Sequence, residues 1–156
     1  MSVARIARLC KTDFRHVGWM VDAVEKKIGV PTCERQSKAL SGMPYLVQKI
    51  TGVQSFTTDE LSFFATLPDV PTGGNLTLTI IEEMFKKDEV RKATDLYINF
   101  DGASDNVCYH VLYGLAHMLR CAKHNNWPLR NIHIIRFKVR VHVSLGLLVC
   151  VFTVRA

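Results

Sequence analysis

Thr94-Asp95-Leu96-Tyr97-Ile98-Asn99-Phe100-Asp101-Gly102-Ala103-Ser104-Asp105-Asn106 is the stretch on which the fold turns. Leu96 to Phe100 reads as a short buried strand, rich in apolar and aromatic residues. It ends on an acidic, glycine-containing turn and runs into a stretch whose apolar spacing predicts a helix from about Asp105 to Lys123. Asn125-Asn126-Trp127-Pro128 ends that helix, and Ile132 to Val139 predicts a second strand. Strand, helix, strand at this spacing is a βαβ crossover, for which parallel pairing is the default. Asp101 closes the first strand, and open α/β sheets place ligand and metal chemistry at the carboxyl ends of their strands. A carboxylate ending an apolar strand is costly unless it binds a metal or finds donors. Asp-Gly is also a common turn, and Ser104 or Asp105 suits the helix N-terminus. Capping is therefore the role expected of Asp105, and metal chemistry the role to test for Asp101.

Working outward, Phe14, Val17, Val21, Val24 and Ile28 have the spacing of one helix face, with Thr12 or Asp13 as N-cap and Gly29 and Pro31 as the stop. Together with Arg5, Arg8 and Lys11 this predicts a helical, basic N-terminal segment over 1–30, followed by loop to residue 43. Pro44 to Gln54 and Leu61 to Leu67 predict two strands joined at Thr57-Thr58-Asp59. Leu76 to Lys87 predicts a helix capped by Asn75, with Glu82–Lys86 and Glu83–Lys87 as i,i+4 pairs. Gly73-Gly74 lacks the spacing of a phosphate-binding loop. On the later helix His117, Cys121 and His124 have the spacing to share a zinc ion, but no fourth ligand accompanies them, and a solvated face is expected.

The chain of 156 residues, 48% hydrophobic and 22% charged, fits one globular domain with a real core. Its net charge of +6 is unevenly spread: +5 over residues 1–57, −6 over 58–107 and +7 over 108–156, with no acid after Asp105. Two basic blocks around an acidic middle suit a polyanionic partner with a metal site between them. Five widely spaced cysteines without a C-x-x-C argue for a reducing compartment and against a disulfide framework or zinc ribbon. No apolar leader is visible at the N-terminus, and the run Val143 to Val154 is too short to span a bilayer and suits a core strand. An intracellular protein is expected, nuclear if it binds DNA and not secreted, with no membrane or small-molecule partner evident.

The segment Leu96–Asn106 followed by an apolar helix resembles the second-acid motif of the retroviral-integrase-like, or RNase H-like, DDE transposases. More narrowly, Gly42-Met43-Pro44-Tyr45, a β-hairpin, Gly73-Gly74-Asn75-Leu76-Thr77-Leu78-Thr79 and the Asp101-Gly102-Ala103-Ser104-Asp105-Asn106 turn, in that order, resemble a transposase-derived domain of eukaryotic mobile elements. The resemblance covers about 42–139. It implies an α/β fold with an RNase H-like mixed sheet and flanking helices, and three carboxylates holding two Mg²⁺ or Mn²⁺ ions for phosphodiester transfer. Asp101 carries over as the second acid, catalytic and metal-binding. The first acid is expected as an Asp-Gly just before Gly42, where this chain has Ser37-Lys38-Ala39-Leu40-Ser41, with Glu34 the only carboxylate close by. With no acid beyond 105 either, residues 31–156 are expected to form a partial RNase H-like domain with a truncated core. The expected function is a degenerate or truncated, non-catalytic domain that binds nucleic acid, DNA being the partner, through Arg120, Lys123, Arg136, Lys138 and Arg140. The alternative is a divalent-metal-dependent DNA nuclease or transposase.

Overall fold

A computed structural model describes residues 2–28, 46–67, 69–71, 73–100, 108–138 and 148–155; at 25–28, 46–47, 136–138 and 148–155 it is the backbone that is described. In chain order the elements are α1 (Val3–Thr12), β1 (His16–Ile28), β2 (Leu46–Ser55), β3 (Leu61–Thr66), α2 (Gly74–Phe85), α3 (Asp88–Lys92), β4 (Asp95–Phe100), α4 (Tyr109–His124), β5 (Asn131–Lys138) and β6 (Leu148–Arg155). The strands make one six-stranded sheet in the order β3-β2-β1-β4-β5-β6. β1 to β3 form an antiparallel meander, β4 lies parallel to both β1 and β5, and β6 returns antiparallel to β5. This mixed sheet with helices on both faces is an α/β fold.

The two faces are separated by strand alternation. Val17, Trp19 and Val21 of β1 and Leu96, Ile98 and Phe100 of β4 form the main core with Ile80, Ile81 and Met84 of α2 and Val111, Leu115 and Leu119 of α4. Gly114 of α4 lets Leu78 of α2 approach the helix axis. On the other face Ile6 and Cys10 of α1 meet Tyr97 and Ile135. α1 is amphipathic, and Ser2 caps it by accepting the Arg5 N–H at 3.4 Å.

The strand–helix–strand unit is as the sequence predicts: β4 pairs with β5 in parallel, from Asp95↔Asn131 to Phe100↔Arg136. The meander strands also fall where expected, with Asp59 at φ 57° in the connection between β2 and β3. Three readings need correction. Residues 16–28 are not helical; they form β1, inside the sheet, and only Val3–Thr12 of the N-terminal segment is a helix. The valine spacing fits a helix, but Val17, Trp19 and Val21 also alternate, and β2 and β4 on either side satisfy the backbone. Asn75 is not the cap of α2: the N-cap is Gly73, whose φ of 116° favours glycine, and Asn75 lies within the first turn. The two expected i,i+4 pairs do not form either. α2 stops at Phe85, so Lys86 pairs with Glu83, and Lys87 reaches Glu60 at 2.8 Å and Ser62 at 3.0 Å.

α4 begins at Tyr109, with Cys108 rather than Asp105 in the N-cap position. Residues 101–107, Glu34, the Gly42–Tyr45 segment, Arg140 and the run before Leu148 lie outside the described residues.

Candidate functional site at the carboxyl end of β4

Parallel pairing brings the carboxyl end of β4 beside the middle of β1, which runs on to Ile28. The register runs from His16↔Asp95 to Met20↔Asn99 and Val21↔Phe100. One residue further along β1 stands Asp22, and the residue that follows Phe100 in sequence is Asp101. Asp22 shares its face of the sheet with Met20 and Asn99, because paired residues of parallel strands point the same way and alternate residues share a face. Its side chain is exposed, and Oδ1 accepts the Ala23 N–H at 2.9 Å.

Asn99 lies within this frame and is 4% exposed, yet its Oδ1 finds no donor among the described residues. A buried acceptor without a donor costs about 1–3 kcal/mol. Such an atom calls for an explanation, an ion being one. Asp22, Asn99 and Asp101 offer oxygen ligands alone, the donor chemistry of Mg²⁺ or Mn²⁺ rather than of zinc.

The sequence-predicted site residues do not all gather here. Asp101 and Asp105 lie outside the described residues. Arg120 and Lys123 are exposed on α4, across the sheet from the Asp22 face. Arg136 and Lys138 are placed by backbone on β5, Arg136 opposite Phe100. Asp22 is the residue that sequence reasoning missed. Read as a strand, Val17–Val21 ends on an acid just as Leu96–Phe100 does, and that parallel was the available signal.

A second polar cluster occupies the opposite, amino end of the same strands. Asp95 accepts from Asn131 Nδ2 at 2.7 Å and from Thr94 Oγ1 at 2.8 Å, with His133 Nε2 at 3.4 Å and His16 Nδ1 at 3.8 Å. Burial pushes the Asp95 carboxyl up, but the bonds from Asn131, Thr94 and His133 outweigh it and hold the group below the usual carboxylate range. Tyr97 stacks on His133, ring centroids 4.6 Å apart. This cluster ties β1, β4 and β5 together where the parallel strands begin.

Between α2 and α4 runs an open groove of about 510 Å³, lined by Leu78, Phe85, Met118 and Trp127 with Glu82 and Arg91 at its rim. Cys121 Sγ lies 3.5 Å from His117 Nε2 at its edge, both exposed. His124 does not complete a zinc site with them: among the described residues no three His, Cys, Asp or Glu side chains are grouped to hold a metal. No helix among the described residues is long and apolar enough to cross a membrane.

No protein-family model matches the chain, and no curated protein does. Among solved structures it is similar to Argonaute from Aquifex aeolicus, at 14% identity and a TM-score of 0.39, over 80% of this chain and 16% of that one. The chain thus spans about a sixth of that structure's length.

Proposed function

We propose that this chain is an RNase H-like domain of transposase descent that acts on the phosphodiester backbone of DNA, with Asp22 and Asp101 as paired carboxylates for a divalent ion. The observation that carries this reading is the β1–β4 register, whose last pair is Val21↔Phe100: Asp22 is the next residue of β1, and Asp101 is the residue that follows Phe100 in the sequence. Asp22 takes the part of the first acid that the family pattern expects. Asp22 and Asp101 would hold the ion, with Asn99 Oδ1 as a neutral oxygen donor, and a Mg²⁺ or Mn²⁺ ion there would supply activation of a water or 3′-hydroxyl and charge for the leaving oxygen. Arg136, Lys138 and Arg140, which follow on β5 and beyond it, supply cations for the phosphates.

A second reading, nucleic-acid binding without turnover, is favoured by the absence of any acid after Asp105. Two carboxylates neutralise one divalent ion, whereas a two-metal site needs more oxygen ligands and charge. A nuclear location is expected where the partner is DNA.

The test is Mn²⁺ binding by calorimetry, with nicking of supercoiled DNA in Mg²⁺ or Mn²⁺, for wild type, Asp22→Ala and Asp101→Ala. Loss of ion binding in both variants supports the paired site. Nicking by wild type alone selects the enzyme, and ion binding without nicking selects the second reading. Equal Mn²⁺ affinity in all three proteins removes the site.

A further inference from the structure

We propose that the outer face of α4 is a platform for single-stranded nucleic acid, on which Tyr109 and Tyr113 stack against unpaired bases while Arg120 and Lys123 pair with phosphates. α4 buries Val111, Leu115, Leu119 and Ala122 against the sheet. At about 3.6 residues per turn, Tyr109, Tyr113 and Arg120 fall in one line on the opposite side, with Lys123 one turn beyond Arg120. The two rings are 80% and 76% exposed, so they contribute little to the core. Two tyrosines left this open, one turn apart, present a pair of π faces to solvent.

The charge of the face selects the occupant. α4 carries no Asp or Glu, and the chain has none after Asp105. Among the described residues Arg120 and Lys123 have no carboxylate within ion-pair distance, as is also true of Arg5, Arg8, Lys49, Lys92 and Arg130, whereas Lys11, Arg15, Lys86, Lys87 and Arg91 are paired. Unpaired cations in line with exposed aromatic rings suit a polyanion that also offers π faces, which is single-stranded nucleic acid. The spacing points the same way. Four helical residues rise about 6 Å, wider than the roughly 3.4 Å between stacked bases in a duplex strand, so the bases must be splayed apart. A duplex keeps its base faces stacked and offers this surface only phosphates.

This platform lies across the sheet from Asp22 and stands whether or not the carboxylate pair binds a metal. The test is fluorescence anisotropy of a labelled oligo-dT strand with the full chain over a range of salt. Tyr109→Ala and Tyr113→Ala are each expected to weaken binding about 5- to 150-fold at fixed salt. They leave the slope of log affinity against log salt unchanged, and Tyr→Phe at either position retains binding. Arg120→Ala combined with Lys123→Ala lowers that slope by about 1.4. Binding is the same in EDTA as in Mg²⁺. The proposal is overturned if the Tyr→Ala variants, folded by circular dichroism, bind as wild type does. A duplex that competes as well as the single strand, binding that requires a divalent ion, or no binding at all would overturn it equally.

Discussion

The indole N–H of Trp19 donates to Glu89 Oε1 at 3.0 Å, tying the centre of β1 to the short helix α3. The other oxygen of the same carboxylate accepts the Ser55 hydroxyl at 2.9 Å. Trp19 and Ser55 are both fully buried. One Glu thus satisfies two donors that water does not reach, and it fixes where a five-residue helix sits on the sheet.

Glu89→Ala is therefore expected to cost about 2–6 kcal/mol, since each of the two stranded buried donors costs about 1–3 kcal/mol. Glu89→Gln, which keeps an acceptor for one of the two donors, is expected to cost less. Urea denaturation of the three proteins measures both, and an alanine variant as stable as wild type would show that the two donors find other partners.

Gly18 marks a second close approach. A Cβ there would lie 2.8 Å from the Phe56 ring and 3.0 Å from Cys10 Sγ, while the Phe56 N–H already donates to the Gly18 carbonyl at 2.7 Å. The ring is thus tethered by its own backbone and yields poorly. Gly18→Ala should destabilise by about 1–3 kcal/mol through overpacking. Phe56→Leu in the same chain should recover part of that loss in a thermal melt.

Acid sensitivity follows from Asp95. Its folded pKa is lowered, so its contribution is present above the unfolded value of about 3.9 and is lost as pH falls through the folded value. Asp13, held down to about 2 chiefly by the hydrogen bonds it accepts from Arg15, adds to the same limb. Asp95→Asn should flatten the fall in denaturation midpoint below about pH 4 and leave the slope near neutrality unchanged. An unaltered acid limb would mean that Asp95 is as well stabilised in the unfolded chain.

Asn99 is expected to set stability against binding. Replacing a buried, unsatisfied amide by an apolar side chain of similar volume is commonly neutral or stabilising. Asn99→Leu should therefore hold or raise the denaturation midpoint while weakening Mn²⁺ binding at Asp22. A variant that loses stability would show that the amide is satisfied in the folded protein.

Much of the fold was legible because local pattern and tertiary role coincide. Leu96–Phe100 is apolar save for Asn99 and becomes β4, whose residues from Leu96 to Phe100 are all buried. The valines, leucines and alanine that line one side of residues 111–122 bury that side, so α4 follows from period alone. Of the two proposed carboxylates, Asp101 could be named because Leu96–Phe100 before it reads as a strand, and it lies outside the described residues; Asp22 was hidden because Val17, Val21 and Val24 satisfy helical spacing and Val17, Trp19 and Val21 satisfy alternation. A lone segment supports either reading.

The sequence by itself determined the alternation of strands and helices from Leu46 onward, the absence of acid after Asp105 and the aromatic and basic run on α4. Each of these is a property of residues near one another in the chain. Tertiary structure decided that residues 16–28 are a strand and that Asp22 stands beside the end of β4. A strand's backbone groups are satisfied by partners far away in sequence, and here β2 and β4 lie some 30 and 80 residues downstream in the register of β1. Pairing across that distance chose between two locally acceptable conformations, and in choosing the strand it gave Asp22 its place.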